Sequence, residues 1–226
     1  MRDDRPRQCL AADAATLTRS QTAYRAMTPL LGLARFASPL DADWEARAID
    51  RFTSSEQQRL ARIQRPLRRT QFIVGHRLLR WLLCSVGLDK TPVEIAADGA
   101  LRRPLAASIF ASIAHSQNVV AAVIADAAIG VDVEAPRLLR DPAAAAALLG
   151  TDPEASGSCD VLRHWVMKEA ILKSGNTADS AWVACWADCQ LAVSGVVNPP
   201  LTRVFELAGG TYNAIEVQWR RHDRRS

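Results

Sequence analysis

Residues 108–134 read SIFASIAHSQNVVAAVIADAAIGVDVE, and within this stretch the chain changes from helical to extended patterning. Ser108 to Ala114 reads as a strand, Gln117-Asn118 as a turn and Val119 to Ala125 as a second strand. Asp126-Ala127 reads as a tight turn, with Ala128 to Glu134 as the hairpin partner of the second strand. Helical segments and antiparallel strands occur on both sides of this stretch, which indicates an α+β chain. Residues 126–128 form the expected junction between an N-terminal lobe, 1–126, and a C-terminal lobe, 127–226.

Upstream, residues 1–27 are polar and Ala-rich without periodicity and read as a loose leader. Pro29 to Phe36 is an expected strand, and Asp41 to Arg51 carries a weak helical pattern. Thr53-Ser54-Ser55-Glu56 is a capping box: Thr53 accepts from the Glu56 amide while the Glu56 side chain reaches back, so a helix starts there and runs through Leu60 and Ile63. Pro66 suits the first turn of the next helix, where Phe72, Ile73, Leu78, Leu79, Leu82 and Leu83 make an apolar face before Gly87. Downstream, Pro136 stops the last strand of the quoted stretch. Asp141-Pro142 opens an Ala-rich helix ending at Gly150, and Thr151 to Cys159 is a loop. Asp160 is the expected N-cap of a helix from Val161 to Lys173 closed by Gly175. Trp182 to Val197 and Thr211 to Trp219 read as strands of a closing sheet. Each half is then a helix pair on a small antiparallel sheet.

The 226 residues are 49% hydrophobic and 23% charged, which excludes wholesale disorder and collagen-like or coiled-coil architectures. Runs such as Val119 to Ala125 and Ala143 to Leu149 fall far short of the roughly 20 residues that span a bilayer. Met1-Arg2-Asp3-Asp4-Arg5-Pro6-Arg7 has no apolar region behind it, so no signal peptide is read and a cytoplasmic protein is expected. Five cysteines and four histidines show neither a disulfide framework nor zinc spacing. Cys185 and Cys189 are expected as buried thiols in an apolar segment. A net charge of +4 and a pI near 9.0 favour anionic partners.

The basic residues are unevenly divided: of 28, only Lys90, Lys168 and Lys173 are lysines. Two of these flank Glu169, hinting at a site that wants a compact ammonium rather than a planar fork. Eight arginines lie between Arg51 and Arg80 against one carboxylate, Glu56. They read either as solvated basic helix faces or as a phosphate-binding surface. Arg102-Arg103-Pro104 adds a smaller basic cluster in an expected loop.

On the strand Ile129 to Glu134, side chains alternate, so Asp132 and Glu134 share one face while Val131 and Val133 point into the core. On the later helix, Trp165, Glu169 and Lys173 share a face at four-residue spacing. If the helix crosses the strand end, Asp132, Glu134 and Glu169 form a three-carboxylate cluster beside one ammonium. Such all-oxygen ligands suit Mg²⁺ or Mn²⁺, and Mg²⁺ usually adds substrate phosphates to one or two carboxylates. A nuclease with acid and lysine two residues apart on a strand is disfavoured, because Glu169 and Lys173 are four apart on a helix.

The segments Ile129-Gly130-Val131-Asp132-Val133-Glu134 and Trp165-Val166-Met167-Lys168-Glu169-Ala170-Ile171-Leu172-Lys173 together resemble the two-part signature of the 4′-phosphopantetheinyl transferases. The resemblance extends through Phe72 to Leu83, the basic residue before Pro104, and His115-Ser116, with His115 seventeen residues before Asp132. It covers roughly residues 50–175 and is most like the surfactin-activating, monomeric type.

That resemblance implies an α+β fold of two similar lobes related by a pseudo-twofold, each a small antiparallel sheet packed with helices, with coenzyme A between them. It implies a holo-[acyl-carrier-protein] synthase activity: Mg²⁺-dependent transfer of the phosphopantetheine arm from coenzyme A to a serine of an acyl or peptidyl carrier protein. Adenosine 3′,5′-bisphosphate is released. By the same carry-over, Asp132, Glu134 and Glu169 hold Mg²⁺, Glu169 deprotonates the serine, and Lys173 stabilises charge on the phosphates and can protonate the leaving group. His115, Arg103 and Lys173 contact coenzyme A. The Arg51 to Arg80 cluster then attracts coenzyme A and acidic carriers. The implied partners are coenzyme A and carrier proteins, with no nucleic acid and no membrane, and the loop around Asp141 to Cys159 is expected to help select the carrier. The chain departs from the pattern at Ala114, where Ser is frequent, at His76, where Arg is frequent, and after Lys173. Two other readings compete: a nucleic-acid-binding protein using the Arg-rich helices, and an inert relative that binds coenzyme A or carrier without transfer.

Overall fold

The computed structural model describes residues 27–37, 39–88, 93, 109–151, 157–175, 180–207 and 211–223. The expected leader before Met27 and the Arg102-Arg103-Pro104 cluster lie outside these. The described chain is α+β, with five helices and two largely antiparallel sheets.

The elements are β1 (Leu30–Arg35), α1 (Ala42–Ile49), α2 (Ser54–Ala61), α3 (Pro66–Ser85), β2 (Phe110–Ser116), β3 (Val119–Ala125) and β4 (Gly130–Glu134), followed by α4 (Pro142–Leu149), α5 (Ser158–Lys173), β5 (Ser180–Trp186), β6 (Cys189–Ser194), β7 (Leu201–Glu206), β8 (Thr211–Ile215) and β9 (Arg220–Asp223). The Thr53 capping box forms with both reciprocal hydrogen bonds, and Pro66 occupies the first turn of α3. Asp141 caps α4, and Gly150 closes it in the left-handed region at φ 71°, where glycine carries no Cβ penalty.

Strands run in the order β2-β3-β1-β7-β8 in one sheet and β4-β6-β5-β9 in the other. All pairs are antiparallel except β1 with β7. Four layers result. Leu78, Leu79, Leu82 and Leu83 of α3 pack with Leu30, Ala34, Val120, Ala122 and Ile124 on one face of the first sheet. Leu31, Leu33, Ala121 and Val123 on its other face meet Val131, Val133, Leu191 and Val193 of the second. Val166, Met167, Ala170 and Ile171 of α5 then cover the far face, against Ala181, Val183 and Ala192. Burying the Leu, Ile, Val and Met side chains among these contributes roughly 1.5–3 kcal/mol each.

Several sequence expectations are corrected. Ala128 to Glu134 is not the hairpin partner of β3: β4 pairs with β6, register Asp132 with Ala192, in the second sheet. After Asp126, whose Oδ2 accepts from the Met27 amide at 2.7 Å, the chain crosses between sheets, so β3 and β4 pack within one core. Alternation identifies a strand but not its partner. Helix α5 begins at Ser158 with Gly157 as N-cap, and Asp160 lies in its first turn, where a carboxylate also favours the helix dipole. The expected strand 182–197 is a hairpin turning at Ala187 and Asp188, both at positive φ. Strands β7 and β9 go unread in the sequence, and β7 and β8 join the first sheet rather than a closing one. Cys189 is buried as expected, but Cys185 is exposed. Among the described residues no helix is long and apolar enough to cross a membrane.

Candidate functional site

Gly130 determines how closely β4 and α5 approach. A Cβ placed there would lie 1.9 Å from the Ala170 carbonyl oxygen and 2.7 Å from the Ser174 amide nitrogen, so only glycine admits the helix. The outcome is that the acid-bearing face of β4 lies directly under the last turns of α5.

Across this junction Lys173 Nζ donates to Asp132 Oδ1 at 2.6 Å and to the Val131 carbonyl at 3.2 Å. Asp132 is buried. Burial pushes its carboxyl up to about 6; Lys173 opposes the rise through charge and hydrogen bond, while Glu134 and Glu169 add to it. Glu134, on the same face of β4, accepts from Ser116 Oγ at 2.8 Å and pairs with Arg137 at 3.5 Å. Glu169, one turn before Lys173, is half-buried, and Lys168 is exposed. Trp165 is partly buried, but against Ala146, Leu149 and Val161 between α4 and α5.

The end of β2 and the start of α3 close the other side. Arg68 Nη1 donates to His115 Nδ1 at 3.0 Å, and Gln71 Nε2 donates to the Gln117 carbonyl at 2.7 Å, fastening α3 to the β2–β3 turn. Arginine only donates, so His115 accepts at Nδ1 and carries its proton on Nε2. Burial first, then the charges of Arg68 and Lys173, push His115 down to about 4, leaving a neutral ring at pH 7.

The structure therefore gathers Asp132, Glu134, Glu169, Lys173 and His115 at one edge. Arg103 lies outside the described residues. Arg68 and Ser116 belong to the same edge; the sequence signalled them only as one arginine of eight and as the neighbour of His115. Other members of the Arg cluster are used elsewhere: Arg69 pairs with Glu45 at 2.9 Å, and Arg80 reaches the fully buried Glu56, which also meets His76 at 2.8 Å.

Among the described residues, no three acidic, histidine or cysteine side chains converge as a ready metal cage. The expected three-carboxylate cluster is instead a lysine-paired edge, with Asp132 spent on Lys173 and Glu134 on Ser116 and Arg137. Its all-oxygen donors suit a hard cation shared between one or two carboxylates and substrate phosphates, rather than one enclosed by protein. A scan of protein-family models and a search of curated proteins both return no match for this chain.

Proposed function

We propose that the chain transfers the 4′-phosphopantetheine arm from coenzyme A to a serine of an acyl or peptidyl carrier protein, acting as a cytoplasmic monomer. The observation that supports this reading is the 2.6 Å contact between Lys173 and Asp132, which joins the strand half and the helix half of the signature at one edge.

Attack on a pyrophosphate builds negative charge on the departing phosphate, so fixed cations and donors aimed there lower the barrier. One or two of Asp132, Glu134 and Glu169, together with the pyrophosphate oxygens, would hold Mg²⁺, which when bound neutralises pyrophosphate charge. Lys173 supplies a compact positive charge that can follow the phosphate oxygens and return a proton to the leaving group. Glu169, half-buried and one turn before Lys173, is the acceptor for the serine proton. His115 stays neutral and offers Nε2–H to a phosphate oxygen, while Arg68 holds the ring through Nδ1.

The test is intact-mass analysis of purified apo carrier proteins incubated with the chain, coenzyme A and Mg²⁺, beside a Glu169→Ala control. A gain of about 340 Da on the carrier that needs both Mg²⁺ and Glu169 is the expected result. Coenzyme A binding without any gain across several carriers would convert the reading to an inert relative. Absence of coenzyme A binding would overturn it.

A further inference from the structure

Away from the acidic edge, two thiols share one side chain. Gln190 on β6 is 4% exposed, and its Nε2 lies 3.2 Å from both Cys159 Sγ and Cys185 Sγ. The two sulfurs therefore lie within twice 3.2 Å of each other. Cys159 sits in the first turn of α5 and Cys185 near the end of β5, directly opposite Gln190 in the ladder. Both thiols are exposed. The buried Gln190 Oε1 has no hydrogen-bond partner, so the carboxamide is held by its sulfur contacts alone.

The other described cysteines are not placed to compete. Cys189 is buried, with Sγ beside the Ala187 carbonyl at 3.7 Å and Arg35 Nη2 at 3.9 Å, on the opposite face of β6. Cys84 is half-buried on α3, in the layer beyond the first sheet. Cys159 also opens on a cavity of about 430 Å³ whose wall includes Arg137, Leu138, Ser158 and Asp188. That space admits a small thiol compound, with Arg137, which also pairs with Glu134, in its wall.

The geometry points to Cys159 and Cys185 as a dithiol modification site, closed to an intramolecular disulfide by low-molecular-weight disulfides. One deprotonated sulfur attacks a sulfur of the small disulfide; a protein–small-molecule S–S bond forms, the original S–S bond breaks, and the leaving thiolate takes up a proton. The second protein sulfur then attacks the first, forming the Cys159–Cys185 bond and expelling the second small thiol. Two protein thiols lose two electrons, and one small disulfide becomes two thiols. The closed bond ties the start of α5 to β5.

The test incubates the reduced full-length chain with glutathione disulfide at neutral pH, followed by acid quench, alkylation and peptide mapping. The expected product is two hydrogens lighter than the reduced chain, with a Cys159–Cys185 cross-linked peptide and only transient glutathionylation. Cys159→Ser and Cys185→Ser variants should each stop at one stable glutathionyl group on the remaining cysteine. Gln190→Leu, which removes the shared amide, should slow closure while leaving the first step unchanged. Stable glutathionylation of both cysteines without a cross-link would overturn the proposal. So would a cross-link to another cysteine, or both thiols remaining free after prolonged exposure.

Discussion

Lys173 stands 2.6 Å from Asp132 and also donates to the carbonyl of the neighbouring Val131, so one ammonium ties the last turn of α5 to β4. Removing it leaves a buried carboxylate facing Glu134 and Glu169 without its counter-charge. Lys173→Met should therefore push Asp132 above its present value of about 6. Because the Lys173 side chain is one-third exposed, the stability cost should be about 1–2 kcal/mol rather than the 3–5 of a fully buried pair. Urea denaturation reads the cost, and adding Asp132→Asn should recover most of it. Transfer, measured as carrier mass gain per minute, should fall at least about 10²-fold in Lys173→Met and in Asp132→Asn alone.

Glu56 is fully buried, yet receives His76, Arg80, the Thr53 amide and the Thr53 hydroxyl. Burial pushes its carboxyl up, but the hydrogen bonds from His76 and Thr53 and the charges of His76 and Arg80 outweigh this and hold it below its ordinary value. Glu56→Ala would strand Arg80, whose buried Nε already lacks a partner. A loss of about 3–5 kcal/mol in urea denaturation is expected. A carboxyl held low stabilises the fold above its unfolded pKa, and that stability is lost as pH falls through the folded value. The variant's stability should therefore fall less steeply than wild type in acid.

The elements legible in the sequence are those with local causes. Thr53 and Glu56 cap each other within four residues, Pro66 suits a first turn, and Asp141 with Gly150 brackets α4. What was not legible is long-range. The apolar run of β3 and the alternation of β4 each specify a strand, but Val131 finds Val193 across a separation that no local pattern encodes. The strand β7 pairs in parallel with β1, a non-local contact across more than 160 residues of chain. At the site, Asp132, Glu134, Glu169 and Lys173 were readable because strand and helix periods place acids and lysine on defined faces. The burial of Asp132 and the Arg68–His115 contact depend on packing between elements, and appear only in three dimensions.

His115 offers a pH test of the neutral-ring assignment. Its value of about 4 lies below the ordinary histidine value, because of burial and the neighbouring Arg68 and Lys173. The unfolded chain therefore binds a proton there between roughly pH 6.5 and 4 that the folded chain refuses. The stability from this group is present above the unfolded value and is lost as pH falls through the folded one. The His115 ring proton shifts should stay flat from pH 8 to about 5 by NMR, and Arg68→Ala should raise the midpoint. His115→Gln should flatten the acid slope of stability over the same window.

Gly130 is a position where a single added methyl is severe. Its Cβ would meet the Ala170 carbonyl oxygen at 1.9 Å and the Ser174 amide nitrogen at 2.7 Å, both backbone atoms of the α5 end that cannot swing aside as a side chain can. Relief requires α5 to lift from β4, which uncovers Val166, Ala170 and Ile171 and parts Lys173 from Asp132. Overpacking against fixed backbone costs about 3 kcal/mol or more. Gly130→Ala should thus lose that much stability in urea denaturation. In whatever fraction stays folded, transfer should fall together with the Lys173 contact. A Gly130→Ala chain as stable and active as wild type would show that α5 does not rest on β4 this closely, and would remove the physical reason for glycine at this position.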